Sequence, residues 1–224
     1  MNDDATLWQI NIPVTYDYAQ LYRYYEDPEG TECEECGAML TITHDRFEAE
    51  WSDGSDQIGD FVSSIGDVVV RADIAAELLK KFRGATTQPV ELADHPSLYR
   101  PKPPKQSRVK RVWLPYEGPE LVWLKPSHSV PLLDQSTVEI DETCDSCGTI
   151  VYEQFLGVEE YNGVQHTPRD PDGGLFISAK AVGKHDLFGV ECTGLFLVTT
   201  KFKQHIEKQG YTNIRFLNFG TLVG

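Results

Sequence analysis

The sequence predicts an α+β protein built from two related strand–helix–strand halves, with mixed or antiparallel sheets and few short helices. Each half contains a C-x-x-C-G motif, CEECG at residues 33–37 and CDSCG at residues 144–148. Each motif is followed by an apolar strand, a short helix and another strand, within residues 60–92 and 186–220. We therefore expect a structural duplication whose halves are joined at one zinc-knuckle site formed by both motifs.

The strands and helices of the two halves have the same kinds of signal. Residues 68–70 (VVV) and 195–198 (LFLV) are β-branched and apolar runs, which are typical of buried strands. Asp73 in the first copy and Thr199 or Thr200 in the second can cap the helices that follow. These helices carry apolar residues at helical spacing: Ile74, Leu78 and Phe82 in the first copy, and Phe202 and Ile206 in the second.

A basic, proline-rich segment separates the halves. Residues 95–112 contain six basic residues and no acidic one, with three prolines inside four residues. Such a composition predicts a stiff connector or long loop, either solvated or lying as a strap over acidic surface. We accordingly expect a first half at residues 1–94 and a second half at residues 113–224, which together form one compact unit.

The charge of the chain limits its classes of partner. The 224 residues include 20 Lys and Arg against 35 Asp and Glu, which gives a net charge of −15. Ten Tyr, ten Phe and four Trp are too many aromatic residues for a disordered acidic chain. A nucleic-acid backbone requires an excess of cations, so we expect no general affinity for it. A basic protein is the partner that this charge favours.

Four of the five cysteines form the two C-x-x-C pairs: Cys33, Cys36, Cys144 and Cys147. Two such turns complete a tetrahedral shell of four thiolates, which predicts one structural zinc ion. Because 107 residues separate the pairs, far more than in a compact zinc ribbon, the site requires either a long insertion or two repeats that meet at the ion. Redox-active pairs, knuckles without metal and disulfides are the alternatives, and the acidic residues beside both pairs argue against redox chemistry. Cys192 is predicted to be a small buried apolar residue.

Acidic residues concentrate around both cysteine pairs. Residues 24–60 hold twelve carboxylates against one cation, and residues 139–160 hold seven against none. Blocks of like charge are commonly solvated faces, but a shared metal site would combine these two blocks into one negative surface. The residues predicted to contact a partner are Glu26, Asp27, Glu29, Glu32, Glu34, Glu35, Asp141, Glu142 and Asp145.

Motifs of common enzyme classes are missing from the sequence. It contains no G-x-S-x-G, no H-E-x-x-H and no P-loop, and its six histidines are scattered. We therefore expect a protein that is not an enzyme, although His166 lies in a polar stretch that could line a cleft. The sequence has no recognisable signal peptide and no apolar run long enough for a membrane span, so we expect a cytoplasmic protein.

The chain resembles the double-CXXCG motif proteins, a paralogous family of myxobacteria. Beyond the two motifs, the resemblance extends over GLFISAKAVGKHDLF and TTKFKQHIEKQGYTNIRFLNFG. It implies an immunity protein that binds a bacterial toxin encoded beside it, and it transfers no catalytic residue. The positions that match the family's motif are Cys33, Cys36, Gly37, Cys144, Cys147 and Gly148.

A zinc-ribbon-type module for nucleic acid or transcription is the alternative function. The two knuckles favour it, whereas the charge of −15 and the acidic residues beside the knuckles oppose it. Phosphate contacts would have to come from the basic segment. The residues available for them are Lys102, Lys105, Arg108, Lys110 and Arg111.

Overall fold

The computed structural model describes residues 5–15, 17–24, 29–44, 46–52, 54–64, 66–93, 110–113, 115–161, 164–165 and 172–224. Over these residues the fold is α+β, with mixed and antiparallel sheets and few short helices, which confirms the predicted class. Residues 68–70 of the first buried run and 196–198 of the second lie in strands, and both predicted helices follow directly. None of the described helices combines the length and the apolar character that a membrane span requires.

The described residues form mostly short strands, together with three helices. The first half of the chain contains β1 (Thr6–Asn11), β2 (Leu21–Tyr24), β3 (Glu29–Glu32), β4 (Met39–His44), β5 (Phe47–Trp51), β6 (Phe61–Ser64), β7 (Asp67–Arg71), α1 (Ala72–Lys81) and β8 (Ala85–Leu92). The second half contains β9 (Leu121–Pro126), β10 (Ser129–Val130), β11 (Val138–Thr143), β12 (Ile150–Phe155), β13 (Glu160–Tyr161), β14 (Val164–Gln165), β15 (Leu175–Ser178), α2 (Ala179–Val182), β16 (Leu187–Val190), β17 (Phe196–Thr199), α3 (Thr200–Gln209) and β18 (Arg215–Val223).

Two six-stranded sheets form the body of the protein. The first sheet has the strand order β2-β5-β8-β9-β7-β6, and the second has the order β15-β18-β1-β17-β16-β10. Five consecutive strands correspond: β5-β8-β9-β7-β6 in the first sheet and β15-β18-β1-β17-β16 in the second. In both sets the first pair is parallel and the other three pairs are antiparallel. The chain is therefore a structural duplication, with repeat 1 running from β1 to β8 and repeat 2 from β9 to β18.

The repeats exchange their central strands. Strand β1 begins repeat 1, but it lies between β17 and β18 of repeat 2, with Leu7 opposite Thr199 and Gln9 opposite Leu217. Strand β9 begins repeat 2, but it lies between β7 and β8 of repeat 1. Neither repeat thus contains all the strands of its own sheet. The boundaries 1–94, 95–112 and 113–224 remain a prediction, although each sheet takes one strand from across them.

Side-chain alternation places the core between and outside the two sheets. On β7, Val68 and Val70 face a central cluster, while Val69 between them faces an outer cluster. The central cluster combines residues of both sheets with the buried faces of α1 and α3, including Leu78 and Phe202. Because this cluster draws on both repeats, the apolar burial that stabilises one repeat requires the other.

The two longer helices begin differently. At the start of α3, the Thr199 hydroxyl accepts a hydrogen bond from the backbone N–H of Phe202 at 3.4 Å, which confirms the predicted cap. The predicted cap on α1 is wrong, since the residue before the helix is Arg71, which makes no side-chain cap bond. Asp73 lies inside the first turn instead and pairs with the Arg71 guanidinium at 2.8 Å. This ion pair lowers the pKa of the Asp73 carboxyl.

Corresponding loops join the repeats on either side of a pseudo-two-fold axis. After α1, the carbonyl oxygen of Arg83 accepts hydrogen bonds from the N–H groups of Asp186 and Leu187 at 2.9 and 3.0 Å. After α3, the carbonyl oxygen of Thr212 accepts one from Phe61, which begins the strand corresponding to that of Leu187. The loop after each of these helices therefore hydrogen-bonds to the corresponding strand of the other repeat, β16 for α1 and β6 for α3.

The junction after α1 depends on a glycine, which gives a stability test. Gly84 has a φ of 104°, and a Cβ added there would overlap the carbonyl oxygen of Leu187. We expect Gly84→Ala to lower the free energy of unfolding by about 3 kcal/mol, because it adds a backbone clash to the cost of a left-handed conformation. Denaturant titration measures this loss.

Gly210→Ala is the matched control for that substitution. Gly210 also has a positive φ, 70°, but no atom lies within 4 Å of its Cβ position. We expect it to cost about 1 kcal/mol, from backbone conformation alone. Equal losses for the two variants would contradict the close inter-repeat contact at Gly84.

Candidate metal centre

Each cysteine motif forms the tip of a two-stranded ribbon. The first ribbon consists of β3 and β4, and the second consists of β11 and β12. Both ribbons are antiparallel, lie outside the two six-stranded sheets and contain register shifts that twist them. The ribbons occupy corresponding positions in the two repeats, so the duplication presents two equivalent cysteine turns.

The two turns share one hydrogen-bonding pattern. In the first, the N–H of Cys33 donates to the carbonyl of Ala38 at 2.9 Å, and the N–H of Gly37 donates back to the carbonyl of Cys33 at 2.8 Å. The bonds at the same positions in the second turn, around Cys144, are also 2.9 and 2.8 Å. Gly37 and Gly148 have φ values of 70° and 71°, which explains the glycine that follows each pair.

The four predicted ligands come together at one point between the repeats. The Sγ atoms of Cys33 and Cys144 are 3.8 Å apart, and those of Cys36 and Cys147 are 3.7 Å apart. All four sulfur atoms lie within 4.8 Å of one another. A zinc ion with four bonds of about 2.3 Å in a tetrahedron requires sulfur atoms about 3.8 Å apart. The cluster can therefore hold a metal ion, and two of its edges already have the length that zinc requires.

Burial divides the four cysteines into an inner and an outer pair. Cys33 and Cys144 are 6% and 4% exposed, whereas Cys36 is exposed and Cys147 is half-buried. Each pair contains one cysteine from each repeat, as the pseudo-two-fold axis requires. With four sulfur donors, a bound ion has a closed shell and no position for a reacting water, which suits a structural role.

The thiols do not ionise alike in the absence of a cation. The hydroxyl of Thr149, 3.1 Å from the sulfur of Cys147, is the main cause that lowers the pKa of that thiol to about 6. For Cys144, backbone hydrogen bonds lower the pKa, but burial and the neighbouring thiols outweigh them and raise it to about 12. A divalent ion supplies the positive charge with which all four sulfur atoms become thiolates.

Glu35 connects the two turns instead of facing solvent freely. Its carboxylate accepts a hydrogen bond from the hydroxyl of Ser146, which occupies the same motif position in the other repeat. The Cys144 thiol is also 3.8 Å from the same carboxylate. Glu35 therefore contributes to holding the turns together, and it is less available to a partner than the sequence predicted.

The remaining predicted partner contacts fall into three groups. Glu26 and Asp27 lie outside the described residues, and Glu29 is placed only as the first residue of β3. The other five side chains are exposed on the ribbons or their turns: Glu32, Glu34, Asp141, Glu142 and Asp145.

The ribbons also expose apolar side chains that sequence analysis missed. Leu40 on β4 is 51% exposed, while Ile140 on β11 and Val151 on β12 are 53% and 47% exposed. Only Ile140, which lies between Glu139 and Asp141, has a local signal of exposure, namely an apolar residue between two acidic ones. Leu40 and Val151 have no acidic neighbour, so the sequence does not indicate that they are exposed on a separate ribbon.

Two further sequence predictions are corrected. Cys192 is exposed, not buried, because it lies in the turn between β16 and β17 with a φ of 60°. Arg111 was a candidate phosphate contact, but its side chain is buried and donates to the carbonyl of Trp51 at 3.0 Å. Lys110 is exposed, whereas Lys102, Lys105, Arg108 and His166 lie outside the described residues.

Comparison with known proteins adds no assignment. No protein-family model matches the chain, and no curated protein matches it. The four-cysteine cluster and the surface around it are therefore the basis of the functional argument.

Removal of the metal gives a direct test of this site. We expect one bound ion per chain, and a strong chelator should lower the melting temperature by about 10 °C, since a tightly bound ion stabilises only the folded state. Elemental analysis and thermal denaturation measure the two quantities. Cys36→Ser should reduce the metal content below one ion per chain and remove the effect of the chelator on the melting temperature.

Cys192→Ser provides the control for that substitution. Cys192 is an exposed cysteine outside the cluster, so its loss should leave the metal content and the chelator effect unchanged. A wild-type protein without metal, or one whose melting temperature is insensitive to chelation, would contradict a structural metal site.

Proposed function

We propose that this protein is a cytoplasmic immunity protein, which binds and neutralises a bacterial toxin domain through the acidic surface of its two ribbons. One observation carries the proposal: the cysteine cluster places the tips of both acidic ribbons side by side. Residues 29–44 and 138–155 contain nine carboxylates and no Lys or Arg. The resemblance to double-CXXCG motif proteins supplies the class of partner.

We further propose zinc as the ion at the cluster. Four thiolates and a closed tetrahedral shell are the donor set of structural zinc sites, and the sulfur contacts of 3.8 and 3.7 Å agree with that geometry. Zinc with four thiolates carries a formal charge of about −2, which adds to the negative charge of the ribbons. The ion would fix the ribbon tips relative to each other without taking part in a reaction.

Charge selects the chemistry of the partner. A surface with many carboxylates and no cation attracts basic proteins and accelerates their association, while it repels phosphate backbones. Burial of Arg111 removes one of the five cations on which nucleic-acid binding would depend. A basic toxin domain therefore fits this surface better than DNA or RNA does.

Exposed apolar side chains give the ribbons a means of holding a partner. Leu40, Ile140 and Val151 project from ribbons that otherwise carry mostly polar residues. Interfaces commonly combine a small apolar centre with a charged rim, in which the apolar contacts limit dissociation and the charges set the association rate. The ribbons contain both components.

The test of this function uses the toxin encoded by the adjacent gene. Co-expression of this chain should restore growth to cells that produce the toxin, and the purified proteins should form a stable complex. Growth arrest despite co-expression, together with no complex by size-exclusion chromatography, would contradict the immunity function. A low-salt gel shift with DNA and RNA tests the nucleic-acid alternative.

Charge reversal on the second ribbon should slow association with that toxin. We expect Asp141→Lys with Glu142→Lys to reduce the association rate constant about tenfold at low salt, and the difference should shrink as salt increases. Surface plasmon resonance at several salt concentrations measures the effect. Glu117→Lys changes the charge of an exposed acid outside the ribbons and should have little effect.

Loss of an exposed apolar side chain should instead accelerate dissociation. We expect Ile140→Asn to raise the dissociation rate constant about tenfold or more with little change in association, because apolar contacts act after encounter. Val14→Asn is the matched control, since Val14 is 72% exposed and lies outside the ribbons. Equal dissociation rates for both variants and the wild type would show that Ile140 is not part of the interface.

A further inference from the structure

Two of the sulfur contacts in the cluster cross from one repeat to the other. Cys33 meets Cys144 at 3.8 Å, and Cys36 meets Cys147 at 3.7 Å. Each contact joins the same motif position of the two repeats. The four metal ligands therefore also include two cross-repeat cysteine pairs whose sulfur atoms are close to each other.

We infer that these cysteines link the two repeats in either of two chemical states. One is a metal-bound thiolate state, and the other is an oxidised state with disulfides Cys33–Cys144 and Cys36–Cys147. A disulfide requires sulfur atoms about 2.0 Å apart, so each pair must close by less than 2 Å. Each sulfur atom would move by about 1 Å, on ribbons that are not part of the main sheets. The oxidised state thus preserves the contact that the metal makes.

With hydrogen peroxide as the oxidant, the atoms and electrons of the proposed conversion balance. Four metal-bound thiolates lose four electrons and form two sulfur–sulfur bonds, which releases the divalent ion. Two molecules of hydrogen peroxide accept the four electrons and, with four protons, become four molecules of water. Exposure of Cys36 allows the oxidant to reach the outer pair first.

Cross-repeat pairing has a consequence that pairing within a turn lacks. Each cross-repeat disulfide joins residues 111 positions apart, so it closes a loop that includes half of the chain. Loops of that length strongly restrict the unfolded chain, whereas a disulfide inside a C-x-x-C turn restricts only a few residues. Oxidation would therefore fasten the two repeats together when the metal is lost, and the fold would not require a reducing compartment.

The experiment uses the 224-residue chain with a protease recognition sequence inserted within residues 95–109, between the repeats. The metal-free protein is treated with hydrogen peroxide, its remaining thiols are blocked, and the chain is cleaved at the inserted sequence. We expect the fragments to stay linked on a non-reducing gel, with peptides Cys33–Cys144 and Cys36–Cys147 found by mass spectrometry. The oxidised protein should melt about 10 °C above the reduced metal-free protein.

Cysteine variants make the result specific. Cys192→Ser should behave like the wild type, Cys36→Ser should retain only the Cys33–Cys144 link, and Cys33→Ser with Cys36→Ser should let the fragments separate. Fragments of the wild type that separate, with disulfides inside each turn or with overoxidised cysteines, would overturn the inference.

The same experiment on metal-loaded protein distinguishes this inference from the proposed zinc site, on which its starting state rests. Zinc release in step with formation of two disulfides per ion supports both. A purified protein that contains no zinc contradicts the proposed ion, and the gel with metal-free protein still decides the cysteine pairing.

Discussion

The contact between the two cysteine turns is the constraint on which the proposed partner-binding surface depends. Each ribbon is a separate two-stranded sheet, and such a hairpin is only marginally stable alone in water. The four sulfur atoms within 4.8 Å of one another fix the two tips at one point. Without this contact, nine carboxylates repelling one another would favour separation of the ribbons, since no Lys or Arg in either ribbon offsets their charge.

Exchange of the central strands provides a rigid framework for the contact between the two cysteine turns. Because β1 lies in the sheet of repeat 2 and β9 in the sheet of repeat 1, neither sheet is complete without the other repeat. The central core, which includes Leu78 and Phe202, also draws on both repeats. The arrangement resembles a domain-swapped dimer contained in a single chain. It accounts for a four-cysteine cluster whose two pairs are separated by 107 residues in sequence, since equivalent residues meet near the pseudo-two-fold axis.

Local signals in the sequence predicted the local structure, and long-range pairing lay beyond them. Ile74 and Leu78 at helical spacing indicated α1, and the C-x-x-C-G motifs indicated the cluster. The residues of β1 have no local feature that indicates which sheet the strand joins, so the sequence could not predict the strand exchange. Cys192 was predicted to be buried because a free cysteine is commonly a small apolar core residue, yet a hairpin turn places it outside. Glu35 was predicted to contact a partner, because the sequence does not indicate its hydrogen bond with Ser146, 111 residues away.

X-ray absorption spectroscopy at the zinc edge, on protein purified with its metal, measures whether both cysteine turns bind one ion. We expect four sulfur neighbours at about 2.3 Å and no nitrogen or oxygen neighbour, because one ion is shared by the cysteine turns of both repeats. A spectrum with fewer than four sulfur neighbours, or one dominated by nitrogen and oxygen, would contradict it. In that case the ribbons would not be joined by a shared ion, and the acidic surface would lack its fixed geometry.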